Sequence, residues 1–172
     1  CTRNFYERSV QIRDTKLAAA ERGYGQILQQ LKPAAPVTDG RRVAVVGGGP
    51  TGMAAAYFCA RAGVPVTIFE REAALGGVVR HVIPSFRISD EAIEKDAALV
   101  RKMGVEVRLN TPAPSVEELK AQGYTHIFFA VGAWKAGNLR ISGNMKPVIA
   151  WMRDVKAGKR EPLGHVAVVG GG

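Results

Sequence analysis

Apolar positions along the chain alternate between helical and strand spacing. Residues 9–31, SVQIRDTKLAAAERGYGQILQQL, read as a helix broken near Gly23 and Gly25, and the turn-formers of 32–42 read as a linker. Arg42–Val46 reads as a short strand. Pro50–Ala62 follows as an Ala-rich helix closed by Gly63, and Val64–Glu70 as a second strand. Residues 71–88 have weak periodicity and read as loop. Ser89–Met103 is helix, with Ser89 as N-cap, acids at 90 and 91, and Ile93, Ala97 and Val100 spaced by three and four. Val105–Asn110 alternates as a strand. Ser115–Gln122 is a short helix with Glu118 in the capping-box position. Tyr124–Val131 is an apolar strand expected to be buried on both faces, with His126 a satisfied core residue. Asn144–Ala157 reads as helix with Pro147 in its first turn, and Val166–Val169 as the last strand.

Alternating strands and helices with continuously apolar strands predict an α/β fold of the Rossmann-like kind, a parallel sheet with helices packed on it, preceded by a short helical segment. The heptapeptide VAVVGGG occurs at 43–49 and again at 166–172. That spacing is too long for a solenoid repeat and suits two separate nucleotide-binding units. The boundaries read as 1–39 for the helical segment and linker, 40–163 for the first nucleotide-binding domain, and 164–172 for the opening strand of another.

The first copy carries chemistry. Gly47-Gly48-Gly49-Pro50-Thr51-Gly52 satisfies G-x-G-x-x-G, follows a strand and opens a helix, and Glu70 ends the next strand 18 residues past Gly52. Gly47 permits the tight turn, Gly49 lets a pyrophosphate approach the backbone, and Gly52 lets the helix pack on the sheet. Pro50 suits a first helical turn, and the helix N-terminus, with Thr51, offers N–H groups to phosphate. Glu70 can accept hydrogen bonds from ribose hydroxyls and would repel a 2′-phosphate, which favours FAD or NAD over NADP at this turn. Arg71 beside it can pair with a phosphate. Gly76 and Gly77, shortly after the acid, give backbone approach near a flavin, which an NAD-only dehydrogenase does not need. A glycine-rich turn and loop without ligand is the structural alternative.

The 172 residues amount to about one domain, 47% hydrophobic and 23% charged. No apolar run is long enough for a membrane span, and the polar, basic start does not read as a signal peptide. Two cysteines make no disulfide framework, so cytoplasm is the expected compartment. Cys59 reads as a buried free thiol. Net charge is +9, and residues 1–42, with eight basic and four acidic side chains, carry +4 of it. The charges are dispersed and no nucleic-acid motif accompanies them, so a solvated face or an anionic cofactor or partner explains them better. The chain begins on Cys1 and ends on three glycines, and it reads as a piece of a longer polypeptide. No Ser/His/Asp or metal-ligand spacing appears. His81 could approach a flavin and His165 bounds the last strand. Trp134 reads as ordinary packing, with a place over the cofactor or at a domain junction as the alternative.

The run VAVVGGGPTGMAAAYFCARAGVPVTIFEREAALGGVVRHVIPSFRIS resembles the FAD half-domain of the glutamate synthase small-subunit family, which includes the flavin/NADPH module of dihydropyrimidine dehydrogenase. That family reads G-G-x-x-R-x-x-I-P-x-F-R after the acid, matched here by Gly76, Gly77, Arg80, Ile83, Pro84, Phe86 and Arg87. YTHIFFAVGAWK resembles its Y-D-x-V-F-x-A-x-G-A. The stretches NFYERSVQIRDTK and IPSFRISDEAIEKD are most similar to the flavin and iron–sulfur subunit of a bacterial selenate reductase. The resemblance spans essentially the whole chain. It implies an FAD domain interrupted by an NAD(P)H domain, whose opening GHVAVVGGG matches, and cofactor contacts at Arg80 and Arg87. It also implies 4Fe–4S clusters held N-terminally by cysteines. Cys1 would be one remnant ligand of the four a cluster needs, or an unremarkable terminal residue. On this resemblance the longer protein passes electrons from NAD(P)H through FAD to iron–sulfur clusters and a partner reductase subunit. This chain then supplies cofactor-holding residues and no catalytic side chain. A non-redox dinucleotide-binding or assembly domain is the alternative.

Overall fold

The computed structural model describes residues 1–135, 137, 142–159 and 163–170. A 3-10 turn at Thr2–Phe5 precedes α1 (Ile12–Gln30), β1 (Val43–Val46), α2 (Pro50–Arg61), β2 (Val66–Phe69), α3 (Gly77–His81) and α4 (Asp90–Lys102). Then come β3 (Glu106–Arg108), α5 (Val116–Ala121), β4 (His126–Phe129) and α6 (Val148–Lys156). All strand pairs are parallel, in the order β3-β2-β1-β4. This is a Rossmann-like α/β fold, as the alternation of elements predicts.

Alternate residues of each strand face opposite layers. Val45, Val66 and Ile68 point to the layer of α2 and α4, where they meet Met53, Ala56 and Ala97. Ala44, Val46 and Phe69 point the other way, against Leu119 of α5 and Tyr124. The alanines of α2 let the helix lie close on β1 and β2. Complete burial of a side chain such as Ile68 stabilises the fold by about 1.5–3 kcal/mol. Tyr124 donates its hydroxyl to Thr67 Oγ1 at 2.8 Å, and Thr67 donates to Glu106 Oε2 at 3.0 Å. The polar groups under the second layer are thereby satisfied.

Helix α4 is capped as its sequence predicts, Ser89 Oγ accepting from Ala92 N at 3.1 Å. The capping box of α5 is complete, with reciprocal bonds between Ser115 and Glu118. Several expectations are corrected. Helix α1 runs through Gly23 and Gly25 without a break. Two glycines cost about 2 kcal/mol in propensity, and nothing crowds the backbone there. The helix ends at Gln30, just before Lys32, which precedes a proline and is pushed toward extended backbone. Within 71–88 the chain forms α3. Pro147 is the N-cap of α6 and lies outside its first turn. The linker is pinned to the domain through Val37 N, which donates to Gly63 O at 2.9 Å. Cys59 is half-buried against the core.

The largest correction concerns β4. It is an edge strand, with Phe128 44% and Phe129 55% exposed. His126 is exposed, its Nδ1 2.9 Å from Thr125 Oγ1. Val166–Val169 forms no strand. It pairs with none of β1–β4, and Val168 is 84% exposed. Gly171 and Gly172 lie outside the described residues.

Candidate functional site

The C-terminal ends of β1, β2 and β4 open into a cavity of about 240 Å³. Three chain reversals wall it. Gly47 follows β1 at φ +107, where a Cβ would strike the carbonyl oxygen of Ala130, so only glycine fits this turn. The chain then enters α2 with Gly49 as N-cap and Pro50 first in the helix. No side chain caps this end, so the N–H groups of Thr51 and Gly52 have no helical partner and carry the positive end of the dipole. A Cβ on Gly52 would collide with the Gly47 carbonyl, so Gly52 sets the closeness of turn and helix.

The second glycine pair packs directly onto the first turn. Gly76 N donates to Gly48 O at 2.8 Å, and a Cβ on Gly77, at φ +53, would come within 2.9 Å of Gly49 Cα. Glu70, 6% exposed, accepts from Gly48 N at 2.6 Å through Oε2 and from Glu72 N at 2.8 Å through Oε1. Each carboxylate oxygen has a second lone pair, so the group retains acceptor capacity toward the cavity.

Of the residues singled out from sequence, Gly47, Gly49, Pro50, Thr51, Glu70, Arg71 and Gly77 line this one cavity. Gly52 lies beneath it. Gly76 borders a second, apolar cavity between α2 and α4. Arg80 spends its guanidinium on Leu75 O at 2.6 Å and Glu94 at 2.9 Å. Arg87 is exposed in the following turn. Neither arginine lines the first cavity. His81 is half-buried, and its Nε2 has no hydrogen-bond partner. Cys1 is exposed.

Sequence reasoning missed Thr111 and Ala113 from the segment after β3, and Ala130 to Gly132 after β4. Thr111 and Ala113 reach the cavity through strand order, which no local motif encodes, whereas Ala130 to Gly132 lie within YTHIFFAVGAWK, a stretch given no cofactor role from sequence. Among the described residues no group of three His, Cys, Asp or Glu could hold a metal. No helix there is long and apolar enough to cross a membrane.

Residues 45–108 match the family described as the NAD(P)-binding Rossmann-like domain. The whole chain is 40% identical to the "Putative oxidoreductase YgfK" of Escherichia coli K12, covering 17% of that protein. It is 32% identical over its whole length to the NADPH-Fe(3+) oxidoreductase subunit beta of Geobacter sulfurreducens, covering 27% of it. Over 83% of its length it is 34% identical to the glutamate synthase [NADPH] small chain of Mycobacterium tuberculosis, covering 30% of it. The chain therefore spans between about a sixth and a third of these relatives.

Proposed function

We propose, starting from the Rossmann-like fold and the likeness to NADPH-linked oxidoreductase subunits, that this chain is the dinucleotide-holding part of a larger FAD-dependent NAD(P)H oxidoreductase. The observation that carries the reading is the apposition of two glycine turns, Gly47–Gly49 and Gly76–Gly77, beside a buried acid at the end of β2. An NAD-only site needs the first turn and the acid. The second turn, stacked on the first, supports a longer flavin dinucleotide.

The residues present fit that group. The bare backbone at Gly49 and the uncapped α2 N-terminus suit a diphosphate, and Glu70 suits ribose hydroxyls. Arg71 stands where it can neutralise phosphate charge. Arg80, tied to Leu75 O and Glu94, acts as a positioning residue that fixes the turn of Gly76 and Gly77. Arg87, in solvent, is left to meet the flavin side or a neighbouring domain. FAD, when bound, supplies hydride acceptance from NAD(P)H and delivery of electrons onward to 4Fe–4S clusters and a partner reductase subunit. The protein's own part is binding and orientation, with no catalytic side chain in this chain. Residues 164–172 open the NAD(P)H-binding domain of the longer protein, 1–39 continue from an iron–sulfur domain, and Cys1 is a remnant ligand. The likeness of the N-terminal stretch to a selenate reductase subunit makes an oxyanion the acceptor to test first. The exposed apolar edge at β4 favours the competing reading, a docking or assembly domain without redox chemistry.

The test is colour. The longer protein should be yellow, release FAD on denaturation and bleach anaerobically with NADPH. A colourless protein with no releasable flavin refutes the reading. The 172-residue chain alone should retain FAD far below stoichiometry. Its cavity lies below the roughly 300–1,000 Å³ usual for ligand sites.

A further inference from the structure

One aromatic ring of the cleft is accounted for neither by the phosphate turn nor by the acid. Trp134, half-buried, lines the same cavity as Glu70 and Arg71. The guanidinium carbon of Arg71 lies 4.9 Å from its ring centroid, and that of Arg153, from α6, lies 5.4 Å away. Both arginines also reach one carboxylate oxygen, Glu72 Oε1, at 3.3 Å from Arg71 Nε and 2.9 Å from Arg153 Nη2. The two cations and the shared carboxylate therefore hold the indole in place where it lines the cavity.

We infer that the Trp134 indole, where it lines the cavity, is the stacking surface for the adenine base of the bound dinucleotide, with Arg71, Glu72 and Arg153 as the side chains that fix it. The inference rests on the dinucleotide reading above. In that reading Glu70 takes the ribose, and the base attached to this ribose extends past Glu70 toward Arg71, Thr111 and Ala113. A flat purine there finds an indole whose position is set by three side chains from two segments, Arg71 and Glu72 after β2 and Arg153 in α6. Stacking of a base on an aromatic ring is tolerant of hydrogen-bonding detail, and cations against the ring hold it by cation–π attraction. Helix α6 thus enters the site through Arg153, although it lies far along the chain from the glycine turns.

The chain has two tryptophans, so Trp151→Phe leaves Trp134 as the single fluorescent reporter. ADP-ribose carries the adenosine half without the flavin. It should bind measurably by calorimetry and quench Trp134 emission with the same midpoint, while riboflavin should not quench it. Trp134→Leu should weaken ADP-ribose about tenfold, and Trp134→Phe should stay within about threefold of the parent. Circular dichroism on each variant separates loss of stacking from loss of fold. Arg153→Gln should lower affinity less than Trp134→Leu. A colourless longer protein with no releasable flavin overturns the dinucleotide reading and the inference together, whereas a yellow longer protein beside a parent chain that shows no calorimetric binding of ADP-ribose overturns the inference alone. Binding with unchanged affinity in folded Trp134→Leu and no quench overturns the inference alone, as does quenching by riboflavin only.

Discussion

At Gly77 the backbone runs at φ +53 with Gly49 pressed against it. An alanine there meets both a disfavoured conformation and a close backbone neighbour, a combination that costs about 1–3 kcal/mol. Gly77→Ala should therefore lower the thermal midpoint by about 3–8 °C for a chain of this size, measured by differential scanning fluorimetry. It should also weaken ADP-ribose binding. A midpoint within 1 °C of the parent, on the order of experimental error, would contradict the contact. The places of Gly47, Gly52 and Glu70 around the turn were legible because the fingerprint fixes them by spacing. The bond from Gly48 N to Glu70 was not, because spacing says that an acid is near the turn and leaves open which donors it meets. Thr111 and Ala113 belong to no motif and become cavity residues only once β3 is placed beside β2.

Among the elements, α4 was readable to its cap because its apolar stripe is regular and Ser89 starts it. Helix α3 was not readable, since five residues hold too little of a period to stand out from a loop. The two are joined by Glu94, which pairs with Arg101 and with Arg80. The hydrogen bond from Arg101, then its charge and that of Arg80, hold the Glu94 carboxyl below the usual glutamate range. Its folded value is thus depressed relative to the unfolded chain, so its contribution is present above about pH 4.3 and is lost as pH falls through the folded value. Glu106, held down by Arg108, and Glu118, held down by the Ser115 backbone, act in the same direction. The thermal midpoint should fall between pH 5 and pH 3, roughly the window below the free glutamate value. Glu94→Gln should fall less steeply and converge with the parent at the acid end. Glu94 is half-exposed, so the difference should shrink in high salt. Parallel slopes for the two proteins would refute the assignment.

For the molecule as a whole, the parallel sheet followed from the alternation of elements, while the position of β4 within it did not. An apolar strand reads alike at the centre of a sheet and at its edge, because hydrophobicity does not reveal whether a neighbouring strand exists. Here Phe128 and Phe129 face opposite layers beside a strand edge that is unpaired among the described residues, an arrangement that promotes edge-to-edge association. Sedimentation velocity should detect concentration-dependent self-association of this chain, and Phe128→Lys should reduce it without changing the β1–β4 pairing. A strictly monomeric parent at high concentration would refute this. The order of pairing also bears on how the molecule assembles. Strand β1 reaches β2 across the short α2 crossover but must wait for β4 until the chain has looped through α3, α4, β3 and α5. Closing that long loop costs more entropy, so the β1–α2–β2 unit should form early and β4 should dock later. Ala130 to Trp134 follow β4 directly and should travel with it, so the far wall of the cleft should be built after the phosphate turn, and a ligand arriving before then would find that turn already formed and nothing opposite it.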